Sequence, residues 1–157
     1  MEGWESWQRR MPDGAIDSEQ RVALQRPVVE RSLAGAEQLG RAYWRAVRRA
    51  TASLVRARQQ DGAVELRLLG RAPVLLRFGP PSLEASNAHV TCSYPIVGGF
   101  LTGRAGGELA FEQTAASLRS TIRGFSPRIA FYGRLQGRAH VAISRRYFQE
   151  LVAEARE

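Results

Sequence analysis

The sequence predicts an α+β fold, with a curved antiparallel sheet of six to seven strands laid on a long C-terminal helix, and three observations carry that prediction. Apolar residues recur at steps of three and four over 33–59 and again over 135–155, the spacing of one helix face. Between these stretches the period is two, as in strands that turn one face inward. The chain has 157 residues, 44% of them hydrophobic and 24% charged, which suits one domain with one core.

Residues 1–19 hold Trp4, Trp7, Pro12 and Gly14 among mixed charges without a sustained period. They predict a flexible N-terminal arm ahead of a single domain over 20–157. The two tryptophans suit a strap packed back onto that domain, or an anchor for a membrane or partner. Over 20–31, Val22, Leu24, Val28 and Val29 make a partial strand that Pro27 confines to an edge or a bulge. The stripe Ala36, Leu39, Tyr43, Val47, Ala50 and Leu54 predicts one helix from 33 to 59, with Ser32 as N-cap and Asp61-Gly62 as its stop. Its other face carries Arg41, Arg45, Arg48, Arg49, Arg56 and Arg58. Such a run keeps a helix in water, and it can also meet an anion or a membrane.

After Gly62, Val64, Leu66 and Leu68 alternate with Glu65 and Arg67, and Gly70-Arg71-Ala72 turns the chain into Val74, Leu76 and Phe78, which completes a hairpin. Gly79-Pro80-Pro81-Ser82 breaks the pattern before a strand over 83–96, with Val90, Cys92, Tyr94 and Ile96 on one face and His89, Thr91 and Ser93 on the other. A short strand over 100–102 and strands over 107–113 and 118–123 complete the sheet. Gly98, Gly99, Gly103, Gly106 and Gly107 are read as turn residues, since a phosphate cradle needs a helix directly after it and strands follow instead. Past Gly124-Phe125-Ser126-Pro127, the closing helix carries Ala139, Ile143, Tyr147 and Leu151 with Val141, Phe148 and Val152 beside them, a stripe wide enough for a concave sheet.

All 23 basic residues are arginine and the net charge is +8. A lysine-free chain points to a GC-rich coding bias, which raises the charge without any binding role and excludes a catalytic lysine. With Cys92 as the single cysteine, and only His89 and His140 as imidazoles, neither an internal disulfide nor a metal site is expected, and no cofactor is called for. The apolar runs are too short to span a bilayer and the first ten residues lack a signal-peptide core, so a cytoplasmic location is the expectation. No Gly-x-Ser-x-Gly elbow or telling acidic pair occurs, and hydrolase readings fall away.

The order of elements over Gln20 to Glu157, a weak strand, a helical stretch, antiparallel strands and a long last helix, resembles the START-like or SRPBCC superfamily of helix-grip proteins. Birch-pollen-allergen-like proteins, polyketide cyclases and lipid-transfer domains belong to that group. The resemblance implies a cavity between sheet and last helix that holds a lipid, polyketide or other apolar small molecule. On that reading Tyr94, Phe111, Ile143 and Tyr147 line the pocket, while His140 and Arg123 stand at its rim and orient a polar end. An apolar ligand is thus the expected partner, and nucleic acid is not. Two alternatives stay open: a cyclase or dehydratase using His140 or a tyrosine as general acid or base, and an arginine-rich surface on the first helix that binds nucleic acid or makes a peripheral contact with an anionic membrane.

Overall fold

Where the period-two pattern is unbroken, the strands form and one face is buried. Ile16, Ser18, Gln20 and Val22 point inward from one strand, Val90, Cys92, Tyr94 and Ile96 from a second, Leu109, Phe111 and Gln113 from a third, and Leu118, Ser120 and Ile122 from a fourth. In the computed structural model, which describes residues 2–157, these belong to a nine-stranded sheet. Its strands are β1 (Glu5–Arg10), β2 (Ile16–Ala23), β3 (Val55–Gln60), β4 (Ala63–Leu68), β5 (Arg71–Phe78), β6 (Ser82–Ala85), β7 (His89–Gly98), β8 (Glu108–Thr114) and β9 (Ser117–Phe125). Helix α1 (Leu33–Ala50) lies between β2 and β3, and helix α2 (Ala130–Glu154) closes the chain.

All pairings are antiparallel, in the order β1-β2-β9-β8-β7-β5-β4-β3. β6 pairs with the first half of β7, beside the short β5 pairing at its far end. Both helices pack on one face of the sheet, because Tyr43 of α1 and Tyr147 of α2 meet the same inward ring, Phe111 of β8, at 4.5 and 5.4 Å between centroids. Trp44, Phe78 and Tyr94 extend this aromatic core on one side, and Phe148 with Trp4 extends it on the other. Gly40 lets α1 come close to β7: a Cβ there would stand 2.6 Å from the Tyr94 hydroxyl and 3.0 Å from the Cys92 sulfur.

Several expected elements are corrected. The described part of the expected arm is not loose: Glu5–Arg10 form β1 and the chain enters β2 at Ile16, with Trp4 packed 5.9 Å from Phe148 and beneath the Arg145 guanidinium at 5.0 Å. β1 is exposed throughout and shows no apolar alternation, as suits an edge strand kept polar, and Glu5 and Asp17 pair with Arg21 and Arg9 across the β1–β2 ladder. The first helix ends at Ala50, and 55–60 is a strand. The stop is a Schellman closure, with Ser53 N–H donating to the Arg48 carbonyl at 2.7 Å and Ala52 N–H to the Arg49 carbonyl at 3.2 Å. Ala52 sits at φ 51° without glycine, so no residue type announces the break. Asp61 and Gly62, at φ 53° and 81°, form the two-residue turn of the β3–β4 hairpin. Ser32 caps α1 as expected, accepting from Gly35 N–H at 3.1 Å.

The expected strand over 83–96 is two strands folded on each other around Ser86, and 100–102 is a loop, with an isolated bridge from Thr102 to Pro127 and with Phe100 and Leu101 N–H donating to the Val74 and Leu75 carbonyls at 2.8 and 3.0 Å. The 24–32 stretch is also a loop; the buried Gln113 amide accepts from Val28 and Val29 N–H at 2.7 and 2.9 Å and donates to the Val29 carbonyl at 3.0 Å. Phe111 is fully buried between three rings, so Phe111→Ala is expected to cost about 3–5 kcal/mol in chemical denaturation. An unchanged midpoint would remove the aromatic junction as the centre of the core.

Candidate functional site

Beyond the aromatic core, α1, α2 and the β3–β5 end of the sheet diverge around a chamber of about 410 Å³, within the range of small-molecule sites. Tyr43, Trp44 and Val47 of α1 form one wall, and Leu66, Leu68, Leu75, Leu76 and Phe78 of β4 and β5 form another. Leu109 and Ile122 make the floor, and Leu135, Gln136, Ala139, His140 and Ile143 of α2 close the third side. Neither Arg, Asp nor Glu lines it.

The polar groups in the wall differ in how they are satisfied. Thr51 Oγ donates to the Val47 carbonyl at 2.7 Å and accepts from Val55 N–H at 3.1 Å. His140 is fully committed: Nδ1 meets Ser18 Oγ at 3.1 Å on β2, and Nε2 meets Ser120 Oγ at 2.9 Å on β9. Burial pushes its pKa down from 6.5 to about 3, so the ring is neutral at physiological pH. Gln136, one turn earlier, is 8% exposed, and neither its amide oxygen nor its amide nitrogen has a hydrogen-bond partner. The Trp44 indole Nε1 in the opposite wall is likewise buried without a partner. Further along α2 the hydroxyls of Ser144 and Tyr147 are also buried without partners, but neither residue lines the chamber.

Of the six residues expected around a pocket, His140 and Ile143 lie in the wall. Tyr94, Phe111 and Tyr147 sit in the solid aromatic core beside it; burial pushes the Tyr94 phenol up to about 12 and holds that of Tyr147 well above its ordinary value. Arg123 does not stand at the rim: it is exposed on the outer face of β9, opposite the inward Ile122 and across the ladder from Glu108. Sequence reasoning missed the α1 wall, the leucines of β4 and β5, and Gln136. The spacing 136, 139, 140 and 143 is a readable helix face, but assigning it to a cavity needs the position of α1.

The arginines of α1 are largely paired, Arg41 with Glu37, Arg45 with Glu154 and Arg49 with Glu150. A cleft of about 600 Å³ between α1 and β3 is lined by Arg41, Arg45, Arg48 and Arg56 together with Glu154. Arg119 lies across the sheet from them, bound to Glu19 and Glu112. Among the described residues, no helix is long and apolar enough to cross a membrane. Comparison of the chain with protein-family models, curated proteins and solved structures gives no match.

The His140 environment sets a pH dependence. A folded-state pKa of about 3 against 6.5 means the unfolded chain binds a proton that the folded chain refuses, so stability is complete above pH 6.5 and falls as pH drops towards 3. The slope from this one group is about 1.4 kcal/mol per pH unit in that window. Urea unfolding of the native chain and of His140→Gln from pH 7 to 4 should differ by that slope. Parallel curves would mean His140 titrates normally.

Proposed function

We propose that this chain holds an uncharged, apolar small molecule in the chamber between α1, α2 and the sheet, in the manner of a helix-grip carrier. The observation that carries the reading is the chamber wall itself: aliphatic and aromatic side chains surround about 410 Å³, with the Gln136 amide and the Trp44 indole N–H as its unpartnered polar groups. A ligand group that both donates and accepts, such as a hydroxyl or a carboxamide, would satisfy that amide once the Gln136 side chain turns into the chamber. A carboxylate would be buried without a countercharge, which is costly.

The START-like reading draws support from the order of β2, a helix, antiparallel strands and a long helix, which β1 precedes, and from the pairing of β2 with β9, which puts the first inward-facing strand beside the last. A carrier fits better than a cyclase or dehydratase. A general acid or base must reach the substrate with a titratable proton near neutral pH, whereas both His140 nitrogens are engaged by serines and burial holds the Tyr43 phenol above its ordinary value.

Native mass spectrometry of the purified chain should reveal a co-purified neutral lipid or polyketide-like molecule, and titration with such ligands should raise the thermal midpoint. Leu76→Trp, which fills the chamber, should abolish both signals, and Gln136→Leu should weaken binding of a long-chain alcohol about tenfold. Retention of ligand by the folded Leu76→Trp chain would sink the reading.

A further inference from the structure

The chamber opens where the chain carries most of its bare apolar side chains. Leu54, Leu68, Leu69, Phe100, Phe131 and Leu135 are each between 41% and 61% exposed. They come from separate segments that hydrogen bonds draw together: Leu69 N–H donates to the Leu54 carbonyl at 2.6 Å, Phe100 N–H to the Val74 carbonyl at 2.8 Å, and Arg128 N–H to the Leu101 carbonyl at 3.0 Å. The Phe100 ring lies 5.8 Å from that of Tyr132, which is 6.3 Å from Phe131. Leu54, Leu68 and Leu135 also line the chamber. The patch therefore surrounds the opening. Contiguity sets it apart from the single exposed apolar residues common on any surface.

The charge around this opening is one-sided. Residues 41–60, 66–83, 93–107 and 113–149 contain no Asp or Glu, and every segment of the patch falls within them. Arg48, Arg56, Arg71, Arg128, Arg134 and Arg138 have no carboxylate within 4.0 Å among the described residues, whereas Arg45, Arg49, Arg104 and Arg119 are paired. Arg48 and Arg56 instead bond Ser53 beside Leu54, and the Arg128 guanidinium lies 5.2 Å over the Phe100 ring. Phe131, Arg134, Leu135 and Arg138 follow at steps of three and four and are all exposed, so apolar and cationic side chains share one stripe of α2. No acidic side chain in the first turn of α2 offsets the positive end of that helix.

We infer that this mouth docks on an anionic lipid bilayer, its leucines and phenylalanines entering the boundary between headgroups and acyl chains while its arginines reach the lipid phosphates. The apolar stem and charged head of arginine suit that depth, and surface charge of opposite sign supplies the attraction. Nucleic acid would reward the arginines and could stack on Phe100 and Phe131, but it makes no use of the bare Leu54, Leu68, Leu69 and Leu135. The inference rests on the ligand-chamber reading only for the traffic it allows, an apolar molecule passing between bilayer and chamber without crossing water.

Co-sedimentation of the full chain with vesicles of phosphatidylcholine alone, or with about 30 mol % phosphatidylglycerol, should show about tenfold or greater preference for the anionic vesicles, weakening as salt is raised. Arg134→Glu/Arg138→Glu and Phe131→Ser/Leu135→Ser alter exposed positions, and an unchanged thermal midpoint verifies their folding. Each should lower partition about tenfold, while Arg26→Glu/Arg31→Glu, an equal charge change away from the mouth, should lower it far less. Equal partition into both vesicle types, no loss in either folded mouth variant, or an equal loss in the control pair overturns the inference. So does tighter binding to single-stranded RNA that Phe131→Ser/Leu135→Ser leaves intact. Vesicle binding of the expected pattern together with unimpaired ligand retention by Leu76→Trp would sink the chamber reading and leave docking standing; the reverse result would sink docking alone.

Discussion

Three rings from three elements meet at one point: Tyr43 of α1, Phe111 of β8 and Tyr147 of α2, with centroids 4.5, 5.3 and 5.4 Å apart. None is more than 4% exposed. Because each element contributes a large rigid ring, the separation of both helices from the sheet is set by aromatic dimensions. Towards Trp4 and Phe148 further rings fill that separation. Towards β4 and β5 the inward residues are mostly leucines, whose side chains reach less far, and the same spacing there leaves the chamber unfilled. Cavity and core are two outcomes of one constraint.

Polar contacts then fix how α2 lies over the sheet. Ring stacking alone would tolerate a slide of the helix along its axis, but His140 must meet Ser18 and Ser120 on adjacent strands. A shift of one residue would strand a buried imidazole and two buried hydroxyls, each carrying an unmet desolvation cost. Gln113 acts similarly at the other end of the inner face, completing the backbone bonds of the loop that leads into α1. These contacts contribute little net energy while satisfied, and they penalise every alternative register.

Charge is distributed to match. Glu150 and Glu154 at the end of α2 neutralise Arg49 and Arg45 of α1, and Glu19 and Glu112 hold Arg119 on the outer sheet face. Six arginines without a carboxylate partner, Arg48, Arg56, Arg71, Arg128, Arg134 and Arg138, lie around the chamber mouth beside exposed leucine and phenylalanine, while others such as Arg26 and Arg31 lie elsewhere. The apolar interior thus opens through a rim that mixes arginine with exposed leucine and phenylalanine. The +8 net charge, which a coding bias alone would explain, is therefore not evenly spread.

Much of the fold was legible. The inward alternation of β7, β8 and β9, the stripe of α2 and the Ser32 cap are local patterns, each decided within a few residues of its own sequence. The reading erred where local signals were silent or ambiguous. Ala52 adopts a left-handed conformation without being glycine, so the end of α1 and the start of β3 were hidden; β1 is an edge strand and shows no alternation. For the site, the sequence by itself determined that α2 carries an inward apolar face containing Ile143; it put His140 at a rim, whereas the ring lies buried in the wall. Only the tertiary structure decided that Tyr94, Phe111 and Tyr147 fill solid core, that Arg123 faces outward, and that the Gln136 amide is left without a partner in the chamber wall. Periodicity tells which way a side chain points from its own backbone, whereas a cavity depends on how far apart three separate elements are held.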